Sequence, residues 1–280
     1  MSTQFDNIQV PYDYIRKKSI AYIERVNVQT TLAPFINNAR VLELACGSGF
    51  YTYDLREWGA NAVVGVDISP VMIEEARRLG YAALATTSSS PTSSDNNENS
   101  NSNTVEFIVA DCAKPILYPG GPFDLVFAAW LLNHAPDHKS LVDMFRSAVL
   151  NLKDGGHFVG ITVAPTSDPT AWYEAEAEAR PPPEGTGGLL FAKTGDVEDG
   201  ISVHCYGETE VGRVDIRGWY LRQDVYERAA REAGLKADLR WEITNVPERW
   251  LKGEGEGGAS LEELRSYEKV PAYGFLVVAK

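Results

Sequence analysis

Cysteine is scarce in this chain, with three in 280 residues. Cys46, Cys112 and Cys205 cannot all pair into a disulfide framework, and their spacing is not that of a zinc site. No other cluster of metal-ligating side chains is visible, so no metal is expected. Apolar runs are short, and none approaches the roughly 18 residues that a membrane-crossing helix needs. The start Met1-Ser2-Thr3-Gln4-Phe5-Asp6 lacks a charged-then-apolar leader pattern. These absences lead to the expectation of a cytoplasmic protein without a membrane partner. Basic residues are in deficit, 26 Lys and Arg against 39 Asp and Glu, for a net charge of −13. That weighs against a nucleic-acid partner, which needs a basic surface, and against anionic lipid. A small neutral or cationic substrate meets no such obstacle. No serine sits in a G-x-S-x-G elbow, which removes the α/β-hydrolases.

What is present is a globular composition, 44% hydrophobic and 23% charged, long enough for one large domain or a domain with a lid. The organising stretch is Arg40-Val41-Leu42-Glu43-Leu44-Ala45-Cys46-Gly47-Ser48-Gly49-Phe50-Tyr51-Thr52. It reads as a buried strand, a glycine turn and a helix start, with Gly47 and Gly49 letting the backbone approach a ligand. The N–H groups of the helix start would face that ligand. A dinucleotide site wants a third glycine, G-x-G-x-x-G, and Thr52 stands there instead. Glu43, at the strand's end, would repel a pyrophosphate and favour a cationic ligand such as the sulfonium and ammonium of S-adenosylmethionine. A nucleotide-dependent oxidoreductase is therefore disfavoured. Two further apolar strands end in acids. Ala62-Val63-Val64-Gly65-Val66-Asp67-Ile68 places Asp67 twenty residues past Gly47, the distance at which such folds set an acid on a ribose. Val105–Val109 leads to Asp111-Cys112, where a carboxylate can accept from an adenine amino group.

On these motifs, with Phe123-Asp124-Leu125-Val126-Phe127-Ala128-Ala129-Trp130 as a fourth strand, the chain resembles the class I S-adenosylmethionine-dependent methyltransferases. The likeness covers residues 38 to 163 well. Its feel is that of small-molecule members, the toxoflavin-synthase type and the methyltransferases of fungal secondary metabolism. One departure is Ala45, where many members have glycine. The resemblance implies an α/β, Rossmann-like seven-stranded sheet of order 3-2-1-4-5-7-6, strand 7 antiparallel, with a lid insertion after strand 5. It also implies S-adenosyl-L-methionine as cofactor. Glu43 would hold its methionine end, and Ala45, Gly47 and Gly49 would line it. Asp67 would bind the ribose, Ile68 would pack on adenine, Asp111 and Cys112 would read its edge, and Ala128 and Ala129 would pass the amino group. Tyr14, in an N-terminal helix, is expected either to reach the cofactor or to pack within that helix. Methylation of a base amino group usually goes with Asn/Asp-Pro-Pro-aromatic after strand 4, and of a cytosine carbon with a cysteine after proline. Neither motif occurs.

In chain order, residues 1–280 are expected as a single methyltransferase domain, and 1–37 as its N-terminal helical cap, with helices near 11–29 and 30–36. A helix 71–79, capped by Ser69 and opened by Pro70, would stop at Gly80. Residues 85–104, polar but for Pro91 among the apolar types beyond Ala85, read as a disordered insertion. His134 follows strand 4, at the edge where open α/β sheets bind ligands, and is the candidate general base. Strand 5 is expected over 157–163 after the turn Asp154-Gly155-Gly156. Residues 165–218 read as a substrate-covering insertion with strands near 200–206 and 211–216. Trp130, Trp172, Tyr206 and Trp219, with Phe191, His204 and Tyr220 in the same insertion, are candidates for an aromatic wall around the substrate or, for the insertion's rings, for its own small core. A sixth strand over 236–246, a flexible glycine- and glutamate-rich segment 252–260 and a strand from Tyr273 close the chain. The expected function is methyl transfer to an oxygen or nitrogen of a small aromatic or apolar molecule. The alternative is a binder of the same cofactor that steers a cyclisation or regulates. Oligomeric state is open.

Overall fold

The computed structural model describes residues 3–6, 19–87, 104–181, 190–209, 212–255 and 258–280. Its elements run α1 (Ser19–Ile36), β1 (Arg40–Leu44), α2 (Phe50–Glu57), β2 (Ala62–Asp67), α3 (Pro70–Thr87), β3 (Val105–Val109) and β4 (Phe123–Ala129). A one-turn 3-10 helix (Leu132–His134) leads to α4 (His138–Asn151), β5 (Leu152–Val163), α5 (Pro169–Ala179), β6 (Leu190–Val197), β7 (Gly200–Thr209) and β8 (Gly212–Leu221). The chain ends with α6 (Gln223–Ala233), β9 (Ala237–Ile243), a π-helical turn (Trp250–Glu254), α7 (Leu261–Lys269) and β10 (Tyr273–Ala279).

The main sheet has the order β3-β2-β1-β4-β5-β10-β9, with β10 antiparallel to both its neighbours. This is the expected seven-stranded arrangement. Its strands are apolar on both faces because helices cover both. Alternate residues then serve opposite cores. Leu42, Leu44, Val64, Val66, Val126, Phe158, Leu276 and Val278 pack against α4 and α6 through Phe145 and Tyr226. Val41, Val63, Leu125, Phe127, Val159, Phe275 and Val277 pack against α1 and α2 through Val28, Leu32, Tyr51 and Leu55. Polar clamps fix α1 on this second layer. Arg25 makes a two-pronged pair with Asp54 (2.6 and 2.7 Å), and Asn27 exchanges two 2.7 Å bonds with the backbone of Asn245.

Several expectations are corrected. The two N-terminal helices over the described part are one, α1, with Pro34 inside its last turn, where the ring costs one N–H to carbonyl bond and the helix stops two residues later. Gly80 does not end α3, which runs to Thr87. A Cβ on Gly80 would lie 2.1 Å from the Tyr53 hydroxyl, so the glycine makes room for a ring rather than a stop. β5 begins at Leu152, with Gly155 left-handed (φ 74°) inside it instead of a turn before it. The insertion after β5 holds three strands, not two, and β7 and β8 run longer than expected, paired from Gly200 with Leu221 to Thr209 with Gly212. Within 252–260, the described residues include part of the π-helical turn, and helix α7 follows unforeseen. Of the 85–104 insertion, residues 88–103 lie outside the described residues, as does Tyr14.

Candidate functional site

The glycine turn joins β1 to α2 through three left-handed residues, Ala45 (φ 59°), Gly47 (φ 55°) and Gly49 (φ 83°). Gly49 also permits close packing, since a Cβ there would meet Ala76, Phe107 and Tyr53 at 3.1–3.3 Å. For Ala45 the same conformation carries strain, which explains why glycine suits this position better. Glu43 is 1% exposed, and its carboxylate accepts from the Thr52 hydroxyl one turn into α2. Thus Thr52, the residue that breaks the dinucleotide pattern, has a structural partner in the acid that opposes a pyrophosphate.

At the end of β2, Asp67 accepts the Gly47 N–H (2.9 Å) and the Ser69 N–H (2.8 Å). Burial raises its pKa, those backbone N–H groups pull it back, and the charge of Asp6 adds a smaller upward push. One carboxylate therefore ties the glycine turn to the next strand and keeps lone pairs for a hydroxyl ligand. Ile68 beside it is 39% exposed, an apolar surface on which a flat base can stack. Asp111 accepts from the Ala113 N–H (3.0 Å) and pairs with Lys114 (3.3 Å). The Cys112 thiol is buried 3.8 Å from the Val66 carbonyl, and burial drives its pKa up, so it is a packed thiol rather than a nucleophile. The turn, the Asp67 carboxylate and the exposed Ile68 fit S-adenosylmethionine.

The other half of the carboxyl edge is built differently. Ala128 and Ala129, both buried, end β4, and Trp130 follows with φ 63°, a bulky residue held in the left-handed region. Its indole N–H donates to Glu24 (3.0 Å) on α1, whose carboxylate also accepts from Tyr51 (2.6 Å). The His134 ring pairs with the Arg217 backbone carbonyl, and burial pushes its pKa down to about 4. Its Nδ1 is buried without a partner. Such an imidazole is neutral at pH 7, but its low basicity gives weak drive for taking a proton. The Phe5 ring meets it edge-on at 5.1 Å. Gln4 exchanges two hydrogen bonds with Arg217, and Asp6 accepts from Ser69 (2.6 Å), so residues 3–6 touch both halves of the edge.

The β6-β7-β8 sheet presents Ile201, Val203 and Tyr220 to Val163, Trp130, Trp172 and Tyr173. Trp172 meets Tyr220 edge-on at 5.5 Å and donates to the Pro271 carbonyl at 3.0 Å. Tyr206 and Trp219 are not in this wall. Strand alternation puts Ser202, opposite Trp219, and Tyr206 on the reverse face from Ile201, opposite Tyr220. Trp219 packs on the main core and Tyr206 lies beside His204. Tyr220, named with the insertion's other rings, does join Trp172 here, whereas sequence reading missed Glu24, Tyr173, Tyr273 and Asn133. Only the pairing register separates Tyr220 from Trp219 and Tyr206 among the rings the sequence offered. Among the described residues, no group of three or more His, Cys, Asp or Glu is placed to hold a metal ion.

A glycine turn after β1, an acid at the end of β2 and a seven-stranded sheet with one antiparallel strand are the frame of an α/β fold suited to a nucleoside ligand. A family profile described as a methyltransferase domain matches residues 36–180, just over half of the chain. The chain belongs to that family, the S-adenosylmethionine-dependent methyltransferases. It is 35% identical over 156 residues to the mRNA cap guanine-N(7) methyltransferase of Caenorhabditis elegans, covering 51% of this chain and 36% of that protein. The chain thus spans about a third of that relative's length. Its fold resembles the CcbJ methyltransferase of Streptomyces caelestis (TM-score 0.60, 20% identity, 99% of this chain and 98% of that one). It also resembles the geranyl diphosphate C-methyltransferase of Streptomyces coelicolor A3(2), solved with S-adenosyl-L-homocysteine (TM-score 0.52, 13% identity, 91% and 78%). No helix among the described residues is long and apolar enough to cross a membrane.

Proposed function

We propose that this protein methylates an oxygen or nitrogen of a small, flat, aromatic or apolar acceptor. The observation that carries this reading is the aromatic cluster at the ends of β4 and β5, where the half-buried Trp130, Trp172 and Tyr173 pack on a core of Val163, Ile201, Val203 and Tyr220 and would border the acceptor. Such a wall suits a flat ring more than a charged polymer. Bound S-adenosylmethionine supplies an electrophilic methyl group on a cationic sulfur. Glu43 and the β1–α2 turn would hold its methionine end, Asp67 its ribose, and Ile68 with Asp111 its base. The chain's contribution to rate is then positioning: the aromatic wall orients the acceptor and excludes water. In this reading residues 165–218 act as the cover and the whole chain acts as one domain.

The test is calorimetric titration with S-adenosylhomocysteine, with NADH as control, followed by an acceptor screen scored by methylated product. Micromolar binding of S-adenosylhomocysteine and none of NADH is expected. No binding would reduce the reading to a statement about fold. A second reading, methylation of a guanine in an RNA cap, is favoured by the nematode relative and opposed by the net charge of −13. Methyl transfer to a capped oligonucleotide in preference to every small acceptor would establish it.

A further inference from the structure

Asn133 is 6% exposed, yet neither its amide nitrogen nor its amide oxygen has a hydrogen-bond partner among the described residues. Nδ1 of the next residue, His134, is likewise buried and unpartnered. Three orphaned polar atoms thus lie on adjacent residues of one 3-10 turn. A buried polar group left without a partner is costly relative to an apolar replacement, so the arrangement calls for a partner that arrives later. Its place says which partner. The turn follows the carboxyl end of β4, where open α/β sheets take their ligands, three residues after the strained Trp130. β8 closes the other side: a Cβ on Gly218 would come within 2.9 Å of the Asn133 backbone oxygen, and Arg217 engages His134.

We infer that Asn133 and His134 form the polar reading head of the acceptor site, and that the acceptor is a nitrogen heterocycle with a lactam or amino-azine edge. A primary amide presents a donor and an acceptor side by side in one plane. Its complement is a planar group with an acceptor beside a donor, as in a ring N–H next to a carbonyl. The buried Nδ1 of His134, without a hydrogen-bond partner among the described residues, is a further polar atom that a ligand N–H or O–H can meet. This inference rests on the methyltransferase reading and narrows its acceptor class.

The experiment uses the full chain saturated with S-adenosylhomocysteine, as wild type and Asn133→Leu. Two matched probe pairs are titrated, 2-pyridone against phenol and 4-quinazolinone against 1-naphthol. In the wild type each lactam should bind at least tenfold tighter than its partner, and Asn133→Leu should erase that preference. The substitution removes two orphaned groups, so its thermal midpoint should stay level or rise by about 2–4 °C. A lower midpoint in Asn133→Leu would show that the amide is structural, satisfied by ordered water, and would overturn the inference. Equal binding of lactam and phenol to the wild type, or binding of neither, would overturn it too. In those cases retained S-adenosylhomocysteine binding leaves the methyltransferase reading standing, and its loss would sink that reading instead.

Discussion

The two halves of the sheet's carboxyl edge solve opposite problems. On the β1–β2 side the carboxylates are already satisfied: Glu43 by Thr52, Asp67 by two backbone N–H groups. Local chain geometry makes that half, and its ligand finds a finished cradle. On the β4–β5 side, Asn133, His134 Nδ1 and the Tyr273 hydroxyl are buried without partners among the described residues, and Trp130 is held in a strained conformation. That half is assembled from α1, the 3-10 turn and a second sheet, and it carries unmet polar groups. A preformed site suits a ligand common to a whole family. An unfinished one suits a ligand that varies, because specificity comes from the polar groups that only the right acceptor pairs.

The largest effect that sharpens this contrast is expected at Asp67. Asp67→Ala should weaken S-adenosylhomocysteine binding by about 1.5–3 kcal/mol, ten- to a hundred-fold in calorimetry. Unchanged affinity would make Asp67 only a strand end that braces the turn. Next comes pH. The folded pKa of His134, about 4, lies below its ordinary value of 6.5, so the unfolded chain binds more protons between them. Its contribution to stability is therefore present above pH 6.5 and lost as pH falls toward 4, about 2 kcal/mol after discounting the ring's partial exposure. Thermal melts of wild type and His134→Gln should converge in slope above pH 6.5 and diverge below it. Parallel curves throughout would show a solvated ring.

A smaller effect tests the seam between the second sheet and the 3-10 turn. Gly218→Ala drives a Cβ against Asn133 and should destabilise the fold by about 1–2 kcal/mol, with cofactor affinity unchanged. Loss of S-adenosylhomocysteine binding in that variant would mean that the two halves are coupled. The smallest effect is on the cofactor side: Ala45→Gly should relieve the left-handed strain and stabilise by about 0.5–1 kcal/mol in denaturant titration. Destabilisation would show that the alanine methyl packs usefully.

How much was readable follows the same division. Glu43, Gly47, Gly49, Asp67 and Asp111 stand at strand ends or in one turn, so their roles hang on sequence spacing and strand length. Thr52 could be counted as a departure from the dinucleotide pattern, but its bond to Glu43 needed the helix built. The acceptor side failed at two named places. Tyr206 and Trp219 look like wall residues until the β7–β8 register shows them on the reverse face. Asn133 looks like a turn residue until its burial is seen.

The chain alone determined the class of fold and the place of the glycine turn and the strand-end acids, because apolar strands, turn glycines and acids act within a few residues of one another. Only the tertiary structure decided which aromatic rings pack together at the ends of β4 and β5, and which buried polar atoms have no partner among the described residues. Those properties depend on register and on packing between segments as far apart as Glu24 and Trp130, or Asn133 and Gly218, and no local pattern encodes such distances.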